Sequence, residues 1–447
     1  MSARRGAAVH SVRDAAAICV ALSAVAPEAP DRQMLGEHGR VLRVAVLCMH
    51  TSPLRQPGSG DGGGLNVYVR ELTAALAHLG VDCDIYTRRT DPSQPDQLEV
   101  ESGVVVFHID AGAPSLDKDD LPAVVSAFAG RVGEHLAHRP VDAIHAHYWL
   151  SGMAGHQLKH RLDIPLAVTF HTLGRVKTSN GDAEPRHRGD AEQRVIDCAD
   201  VVFTSGAAEA AQLRSLYDVA PERLHVLTPG VDRAIFAPGQ RHAARAAIGL
   251  PQGPVLLFVG RLQPLKGAEL AIETLAATRA AGAAGAHTQL VIVGGPSGPE
   301  GEVTLARLKA LTDDLAVTDH VRFVDPLPHY LLSTYYRAAD VCLVPSRSES
   351  FGLVALEAAA CGTPVVASDV GGLRDNVVEG DTGYLIADRS SDAFARRVID
   401  ILADPLLALR LGDAGSRRAE RYNWRASAAA ALEVLDTAAR RELVACL

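Results

Sequence analysis

Two glutamates, Glu349 and Glu357, bracket the start of a helical pattern near the C-terminal end of the sequence. A strand-like run ends just before Glu349, and Gly362 stops the helical pattern. The first N–H groups of a helix have no partner inside the helix, so they favour an anion such as a diphosphate. Two carboxylates beside that anion would suit two sets of sugar hydroxyls on a nucleotide-sugar. A helix with an acidic first turn and one solvated glutamate would look the same, so the spacing alone leaves both interpretations open.

A second charged pair, Arg261 and Lys266, lies where a strand-like run that begins at Val255 meets a helical pattern. Two cations beside a helix N-terminus would form a clamp for a diphosphate. A helix start with solvated charges is the alternative. Further along, the glycine pair Gly371 and Gly372 predicts a loop that approaches another group closely.

The N-terminal half opens with an apolar run, Arg43–Met49, which predicts a buried strand. A long loop with Gly62–Gly64 follows, and a helical pattern then runs from about Leu65 to Gly80 before a second strand. This strand, glycine loop, helix and strand are typical of a Rossmann-like domain. The loop lacks G-x-G-x-x-G spacing, and no acidic residue is placed to hold an NAD ribose. The pattern therefore disfavours a dinucleotide oxidoreductase.

More strand-like runs alternate with helical patterns along this half, at 104–109, 143–147, 166–170 and 201–204. This alternation predicts a parallel sheet that binds its ligands at the carboxyl ends of the strands. Polar or aromatic residues stand at three strand ends, and these residues are His50, His147, Tyr148, Trp149, His171 and Thr172. Three such ends predict a shared cleft. They do not predict a metal site, because no acidic partner accompanies the histidines at ligand spacing.

Two cations could serve a second, anionic substrate. Lys118 lies in the segment SLDKDD, and Arg188 lies in PRHRGD before a helical pattern. If both face the cleft, they could hold a phosphate, and the arginine would offer a two-pronged contact. Solvated loop charges are the alternative for both.

The second half repeats the alternation of strands and helices after a short connection at about 225–230. We therefore predict an α/β protein in which two Rossmann-like domains face each other across a deep cleft. The predicted divisions are a disordered leader (1–40), an N-terminal acceptor domain (41–228), a C-terminal nucleotide-sugar domain (229–424) and a terminal helix that packs back toward the N-terminal domain (425–447). A later start of translation at Met34 is an alternative to the leader.

Composition limits the classes of partner that this chain could have. The 447 residues carry a formal net charge of −9, which argues against nucleic acid. No apolar run reaches the roughly 20 residues of a membrane span. The seven cysteines are scattered, odd in number and without a C-x-x-C pair. This usage predicts a reduced, cytoplasmic chain without a zinc site.

The E-x7-E pattern, the arginine–lysine pair and the later glycine pair together resemble the retaining GT-B glycosyltransferases of the glycogen-synthase and sucrose-synthase type. The resemblance runs from about Val41 to Trp424. Segments of the first half, HTSPLRQPGSGDGGGLNVYV, DAIHAHYWLSG and HTLGRVK, resemble more closely the D-inositol-3-phosphate glycosyltransferases of actinobacteria. That resemblance implies transfer of N-acetylglucosamine from UDP-GlcNAc to 1D-myo-inositol 3-phosphate, with retention, in the first step of mycothiol biosynthesis.

The resemblance also implies a set of donor-binding residues, which are Gln56, Pro57, Gly64, Arg261, Lys266, Leu327, Glu349 and Glu357. Within this set the two cations would hold the diphosphate, Glu349 the sugar hydroxyls and Glu357 the ribose. The implied catalytic residues are Arg261, Lys266, Glu349 and His171. The family pattern expects an arginine near Leu327, so this chain departs from it there.

The implied acceptor-binding residues are His50, Asp61, Gly62, Gly63, Gly64, Leu65, Asn66, Lys118, Tyr148, Thr172 and Arg188. His50 and the glycine loop would contact the inositol phosphate, and the last four residues would hold its phosphate. The resemblance further implies a peripheral, non-catalytic Mg²⁺ at Tyr336, Arg337, Ala339 and Thr363. It implies no cofactor for catalysis and a homodimeric assembly.

Two departures from the family pattern lie on the acceptor side. One lies between Gly112 and Lys118, and the other is the segment GGGLN. They leave two other acceptors open: a sugar phosphate, as in sucrose-phosphate synthase, or an aminocyclitol. An aminocyclitol is cationic, so Lys118 and Arg188 count against it. A non-catalytic nucleotide-sugar-binding protein is the remaining alternative, and the complete set of cations and glutamates counts against that.

Overall fold

The computed structural model describes residues 42–181, 184–282, 285–298 and 300–446. The predicted leader, residues 1–40, and the alternative start at Met34 lie outside the described residues. Everything from residue 42 onward belongs to one compact unit.

The N-terminal half builds an eight-stranded sheet in the order β3-β4-β2-β1-β5-β6-β7-β8. The strands are β1 (Arg43–Leu47), β2 (Asp82–Arg88), β3 (Gln97–Glu101), β4 (Val104–Ile109), β5 (Ala143–His147), β6 (Leu166–Thr169), β7 (Val201–Thr204) and β8 (Leu224–Val226). Only β3 is antiparallel to its neighbour. The sequence pattern did not predict β3, because this edge strand is mostly exposed and carries no apolar alternation.

Helices cover both faces of this sheet. They are α1 (Gly64–His78), α2 (Val125–His138), α3 (Trp149–Leu162), α4 (Gly174–Ser179), α5 (Arg186–Cys198) and α6 (Ala207–Tyr217). One core lies between the sheet and α2, α3 and α5, with Phe128, Leu158 and Val195 at its centre. A second core lies on the α1 face and contains Leu72. Because both faces are covered, the parallel strands read as apolar runs.

The C-terminal half builds a six-stranded parallel sheet in the order β11-β10-β9-β12-β13-β14. The strands are β9 (Val255–Val259), β10 (Gln289–Val293), β11 (Val321–Val324), β12 (Val341–Val344), β13 (Val365–Ser368) and β14 (Gly383–Ile386). The sequence pattern did not predict β14, since four residues after a turn give little periodicity. The described residues therefore form two parallel-sheet α/β domains, as predicted.

The helices of this half are α7 (Arg241–Ala247), α8 (Ala268–Ala280), α9 (Gly301–Asp314), α10 (Leu332–Ala338), α11 (Leu353–Ala360), α12 (Leu373–Asn376), α13 (Ser391–Ala403), α14 (Pro405–Ala419) and α15 (Trp424–Ala438). The last of them, α15, returns to the first domain and packs against α1. Ala428 and Leu435 are buried there beside Leu72. The exact bounds of the two domains remain a prediction.

Two cysteines that are scattered in the sequence meet in the fold. Cys198 and Cys446 lie in direct contact, Sγ to Sγ, although 248 residues separate them in the chain. Local spacing cannot reveal such a pair, because the fold brings it together. In the described part of the chain, none of the helices has the length and apolar character to cross a bilayer.

Candidate active site

A cavity of about 310 Å³ lies between the carboxyl ends of the strands of the two sheets. The predicted site residues that line it are His50, Pro57, Asp61, Gly63, Gly64, Leu65, Lys118, Tyr148, His171, Thr172, Arg261, Lys266, Leu327, Glu349 and Glu357. Gln56, Gly62, Asn66 and Arg188 do not line the cavity. Gln56, Asn66 and Arg188 support residues that do, as described below, and Gly62 is held within its loop by backbone hydrogen bonds to Gly58 and Ser59.

Two helix starts meet across the cleft. Gly64 begins α1 and Leu353 begins α11. A Cβ on Gly64 would lie 3.5 Å from Leu353 Cδ1, so the two N-termini are in contact distance. Each brings unpaired N–H groups and the positive end of a helix dipole toward the cavity. This electrostatic environment suits a diphosphate.

The loop that carries Glu349 is held by the predicted glycine pair. A Cβ on Gly371 would lie 2.0 Å from Glu349 O, and a Cβ on Gly372 would lie 2.2 Å from Ser350 O. Gly371 also has φ +45°, which L-residues with a side chain adopt rarely. The predicted close approach is confirmed, and the group approached is the protein's own backbone.

Lys266 and Glu349 form an ion pair across the cavity wall. Lys266 Nζ donates to Glu349 Oε2 at 2.7 Å, and the two side chains are 23% and 18% exposed. The predicted diphosphate cation and the predicted sugar carboxylate thus neutralise each other when no ligand is present. A bound diphosphate would draw Lys266 toward itself and free Glu349 to accept hydrogen bonds from hydroxyls.

Arg261 lies partly buried on the loop after β9. Its Nε would lie 3.3 Å from a Cβ on Gly63, so the glycine loop leaves room for the guanidinium. Burial lowers the pKa of Arg261, and the nearby Asp61 and Glu349 carboxylates oppose that shift. An arginine stays protonated under such conditions. No hydrogen-bond partner faces its guanidinium among the described residues, so this cation is available to a ligand.

Glu357, the predicted ribose ligand, is already paired. His329 Nε2 lies 2.6 Å from Glu357 Oε1, and Tyr336 Oη donates to Glu357 Oε2 at 2.8 Å. Burial acts to lower the pKa of His329, but the charge and hydrogen bond of Glu357 outweigh it and raise the pKa. Sequence reasoning missed His329. Its position directly after the β11 strand end, in DPLPHY, was the available signal.

The N-terminal domain contributes imidazoles that are uncharged. His147 Nδ1 lies 2.9 Å from His171 Nε2, and burial lowers the pKa of His171 to about 3. The His50 ring lies 4.3 Å from the Tyr148 ring. Burial, together with the surrounding cations, lowers the pKa of His50 well below its ordinary value. At neutral pH these rings can donate or accept hydrogen bonds without adding charge.

Two of these strand-end residues have strained backbones. Tyr148 has φ +76° and His171 has φ +61°. Positive φ is uncommon for residues with a side chain and concentrates at functional sites. The sequence carries no signal for this feature, because the surrounding fold imposes the conformation.

Arg188 does not face the cavity. Its guanidinium donates to the carboxylates of Glu184 and Glu192 at 2.8 Å each, and to Thr172 O and Oγ1 at 2.9 Å each. It also lies 5.1 Å from the centre of the Tyr148 ring. With all three nitrogens paired, Arg188 orients Thr172 and Tyr148. Its predicted direct contact with a phosphate is not supported by this geometry.

Lys118 is the cation that the acceptor side leaves accessible. Its Nζ lies 4.0 Å from Asp61 Oδ1 and 5.3 Å from the centre of the Tyr148 ring. A second lysine, Lys177, also lines the cavity and is paired with Glu184. Sequence reasoning missed Lys177, although it lies in the HTLGRVK segment.

The loop between β1 and α1 is anchored at both ends. Asn66 is buried, accepts from Gly63 N at 2.8 Å and donates to Thr51 Oγ1 at 2.9 Å. Gln56 Nε2 donates to Pro326 O at 2.7 Å, which links this loop to the opposite domain. Asn66 and Gln56 therefore shape the loop, and Gly63 and Gly64 between them line the cavity.

Two further residues of the cavity were missed. Glu209 is buried and accepts from Ser205 N and Ser205 Oγ, both at 2.7 Å. Burial raises the pKa of Glu209. Ser205 Oγ also lies 3.1 Å from Ser350 O, across the two domains. The N-cap of α6 is Gly206 without a side-chain cap, and a serine four residues before a glutamate lacks the spacing of a capping box. The sequence therefore offered no specific signal for this pair.

The predicted magnesium residues lie together, but they suit the ion poorly. Thr363 Oγ1 donates to Tyr336 O at 2.7 Å. Arg337 donates to Ile235 O and Ala237 O at 2.6 and 2.8 Å and brings a positive charge. Ala339 offers only its backbone. Mg²⁺ is usually held through at least one carboxylate, and this set has none. The ion stays a prediction, and no chemical step depends on it.

Two facing parallel-sheet domains, with cations and helix N-termini at the cleft, define a GT-B glycosyltransferase. Comparison with known families agrees: "Glycosyl transferases group 1" matches residues 240–418, and "Glycosyl transferase 4-like domain" matches residues 63–230. The chain is a glycosyltransferase.

Curated relatives identify the family of glycosyltransferases to which the chain belongs. D-inositol 3-phosphate glycosyltransferase of Jonesia denitrificans is 44% identical over 407 residues, covering 88% of this chain and 96% of the relative. The protein of the same name from Thermobispora bispora is 42% identical over 419 residues, covering 91% and 97%. The chain belongs to the D-inositol 3-phosphate glycosyltransferase family, so the predicted family resemblance is confirmed.

Solved structures agree on the fold. Sucrose-phosphate synthase from Thermosynechococcus elongatus superposes with a TM-score of 0.83 at 33% identity, covering 89% of this chain and 98% of that one. HepE from Anabaena, solved in complex with UDP and glucose, gives a TM-score of 0.70 at 18% identity, covering 89% of this chain and 100% of that one. At that identity the second match supports the fold alone. The predicted GT-B fold is confirmed.

Proposed function

We propose that this glycosyltransferase moves N-acetylglucosamine from UDP-GlcNAc to 1D-myo-inositol 3-phosphate, with retention, as the first step of mycothiol biosynthesis. Membership in the family supports the donor and the acceptor. The structural observation that carries the proposal is the arrangement of charge in one cavity. Arg261 and Lys266 lie at one wall, and Lys118 lies at the other beside neutral imidazoles.

The donor diphosphate gains negative charge as the anomeric C–O bond breaks. Arg261, Lys266 and the N–H groups at the start of α11 stabilise that charge as the leaving group departs. One preorganised contact of this kind contributes about 3–4 kcal/mol to the transition state. Arg261 lines the cavity without a side-chain partner among the described residues, whereas Lys266 would exchange Glu349 for the diphosphate.

Retention follows if the acceptor hydroxyl attacks from the face that the leaving group vacates. No side chain need act as a covalent nucleophile, and an oxygen of the leaving phosphate can accept the acceptor's proton. Glu349 is held by Lys266 at 2.7 Å, which suits a carboxylate that binds sugar hydroxyls. Neutral His171 can hydrogen-bond an uncharged hydroxyl at the reacting end of the donor without repelling Arg261 or Lys266.

The acceptor is proposed to be anionic because of Lys118. This lysine keeps a partly exposed ammonium at the cavity, where it would pair with the phosphate of the acceptor. Arg188 would act indirectly, by holding Thr172 and Tyr148 in position. An aminocyclitol carries positive charge and would be repelled by the same lysine.

The two domains already touch around the cavity. Gln56 Nε2 to Pro326 O at 2.7 Å and Ser205 Oγ to Ser350 O at 3.1 Å cross between them. Such contacts would exclude water from the bound donor and so limit hydrolysis of UDP-GlcNAc.

The proposal includes a cytoplasmic location, expected from the cysteine usage, and a homodimeric assembly, expected from the family resemblance. It assigns no catalytic role to a metal ion, because Arg261 and Lys266 can supply positive charge at the diphosphate. Size-exclusion chromatography with light scattering would test the dimer directly.

A sugar phosphate is the second candidate acceptor. The observation in its favour is the structural likeness to sucrose-phosphate synthase. That protein is 33% identical to this chain, which is less than the 44% identity of the curated relative from Jonesia denitrificans. Fructose 6-phosphate also carries a phosphate that Lys118 could bind. The two acceptors therefore share a phosphate and differ in the ring that carries it.

The test is UDP release from UDP-GlcNAc in the presence of 1D-myo-inositol 3-phosphate, free inositol or fructose 6-phosphate. We expect strong stimulation by the inositol phosphate alone, and a product whose anomeric configuration matches that of the donor. Stimulation only by fructose 6-phosphate would replace the proposed acceptor. Binding of UDP-GlcNAc without UDP release under any condition would contradict the transferase proposal itself.

A further inference from the structure

Four metal-binding side chains meet at one place outside the cavity: His156, His160, Cys198 and Cys446. One ligand atom from each lies within 4.8 Å of the others. They come from three separate parts of the chain: the middle of α3, the last residue of α5 and the C-terminal tail. No feature of the proposed transfer reaction uses them.

The two histidines are arranged like a metal-binding pair. They lie four residues apart on α3, which places both rings on the same face of the helix, and their ring centres are 4.9 Å apart. His160 Nε2 lies 3.2 Å from Cys198 Sγ and 3.0 Å from Cys446 Sγ. The imidazole of His156 is hydrogen-bonded by the backbone at Arg194, as the second nitrogen of a metal-bound histidine usually is.

The tail that carries Cys446 is anchored next to this cluster. Lys159 Nζ donates to Val444 O at 3.0 Å, and Val444 N donates to Asp200 Oδ1 at 2.7 Å. Lys159 and Asp200 are themselves buried and paired at 2.8 Å, with side chains only 3% and 8% exposed. Cys446 follows two residues later, so an ordered anchor delivers its sulfur to the histidines and Cys198.

We propose that His156, His160, Cys198 and Cys446 bind one zinc ion, which fastens the C-terminal tail to the N-terminal domain. Two thiolates and two imidazoles are a common ligand set of structural zinc sites, and soft sulfur ligands with imidazole select this metal. All four positions are filled by protein, so the site is structural. The two cysteines release their thiol protons to solvent when the ion binds.

The direct sulfur contact must open to admit the ion. With zinc–sulfur bonds of about 2.3 Å, a tetrahedron separates its two sulfurs by about 3.8 Å. The Cα atoms of Cys198 and Cys446 are 4.7 Å apart, so rotation of the side chains and a small shift of the tail supply this change. A disulfide would use the two sulfurs alone and would not account for the two histidines gathered beside them.

The site is remote from the cavity. Cys198 ends α5 ten residues after Arg188, which is about 15 Å along a helix. Arg188 itself supports the cavity wall through Thr172. Zinc can therefore be tested without reference to transferase activity, and failure of one proposal would not imply failure of the other.

The first experiment measures zinc in full-length protein purified under reducing conditions and dialysed, by elemental mass spectrometry. We expect about one zinc per chain. Replacement by Co²⁺ should give the visible absorption of a tetrahedral cobalt site and a thiolate-to-cobalt charge-transfer band. Reduced protein that takes up neither zinc nor cobalt would overturn the proposal, as would a Cys198–Cys446 disulfide in place of metal.

Variants then test the ligands. Cys446→Ser and His160→Ala should each lose the bound zinc and the cobalt spectrum. His138→Ala, an exposed histidine near the end of α2, is the matched control and should keep both. Chelation of wild-type protein should speed tryptic release of the tail after Arg441 by at least about tenfold. Zinc content unchanged in Cys446→Ser, or tail release unaffected by chelation, would contradict the site.

Discussion

The two walls of the cavity place polar groups at strand ends in the same way, yet their electrostatics differ. The C-terminal wall carries ionised groups held in pairs: Lys266 with Glu349, and His329 with Glu357. The N-terminal wall carries imidazoles that burial keeps neutral, such as His171 with a pKa of about 3. The C-terminal wall can bind a diphosphate, and the N-terminal wall can form hydrogen bonds with hydroxyls.

This difference shows how a transferase can keep charge stabilisation apart from acceptor recognition. On the C-terminal wall, which we call the donor wall, the charges are paired, so their burial costs little free energy when the site is empty. The same charges can form new pairs with a bound ligand. Neutral imidazoles on the N-terminal wall, which we call the acceptor wall, add no positive charge that would compete with Arg261 and Lys266 for the diphosphate. Lys118 is a partly exposed cation on that wall, and its proposed partner is the acceptor's own phosphate.

The largest effect should come from the donor wall. Lys266→Ala should lower kcat by about 10²- to 10³-fold, because one preorganised contact to the leaving diphosphate is lost. The measurement is UDP release at saturating substrates, with thermal unfolding to show that the variant is folded. Lys309→Ala, an exposed lysine on α9, is the control and should leave kcat unchanged.

Lys266→Ala also leaves Glu349 without its partner, so the double variant Lys266→Ala/Glu349→Gln separates the two causes. If the lysine acts on the leaving group, the double variant stays inactive. Recovery of kcat in the double variant would show that an unpaired carboxylate caused the loss, and the donor wall would need a different cation.

The next effect concerns the backbone that carries the donor wall. Gly371→Ala should lower the free energy of unfolding by at least about 2 kcal/mol and reduce activity, because its Cβ would lie 2.0 Å from Glu349 O. Gly380→Ala is a matched control, since Gly380 also has positive φ but no atom within 4 Å. It should cost about 1 kcal/mol and spare activity. Equal effects in urea denaturation and in assay would refute the loop-positioning role.

On the acceptor wall, Lys118→Ala should raise KM for 1D-myo-inositol 3-phosphate by about tenfold, with a smaller change in kcat. The expected cause is loss of the ion pair with the acceptor phosphate. Lys118→Arg should restore most of the affinity, because it keeps the charge. KM for UDP-GlcNAc should stay constant. A KM effect on the donor instead would assign Lys118 to the other wall.

The smallest effect is a pH dependence set by the neutral imidazoles. His145 lies on β5 behind the cavity wall, where its Nε2 is 2.8 Å from Oγ1 of the lining residue Thr169. Burial lowers the pKa of His145 from its ordinary 6.5 to about 3, so the unfolded chain binds this proton more readily. The stability that the neutral ring contributes is therefore complete above pH 6.5 and is lost as the pH falls from 6.5 toward 3. In His145→Gln the slope of unfolding free energy against pH over this window should fall by about 1 kcal/mol per pH unit.

Urea denaturation between pH 5 and 7 measures that slope for comparison with His138→Gln, which alters an exposed histidine. The control should retain the wild-type slope. An unchanged slope in His145→Gln would mean that burial does not keep this imidazole neutral in the folded protein, which would contradict the prediction.

Much of this architecture was predictable, because parallel strands and amphipathic helices leave local patterns. The run Arg43–Met49 predicted β1, and the spacing of apolar residues after Leu65 predicted α1. The E-x7-E spacing placed Glu349 in the loop before α11 and Glu357 within that helix. The edge strand β3 escaped prediction because its side chains are mostly exposed and obey no apolar period.

By itself the sequence determined the fold class, the family and the residue types available at each strand end, because periodicity and motif spacing are local properties of the chain. Only the tertiary structure decided which groups meet. It placed the guanidinium of Arg188 against Thr172 and away from the cavity, and it gave Glu357 to His329. It also brought Cys446 beside Cys198 across 248 residues. Side-chain partners depend on how distant elements pack, and no local pattern encodes that distance.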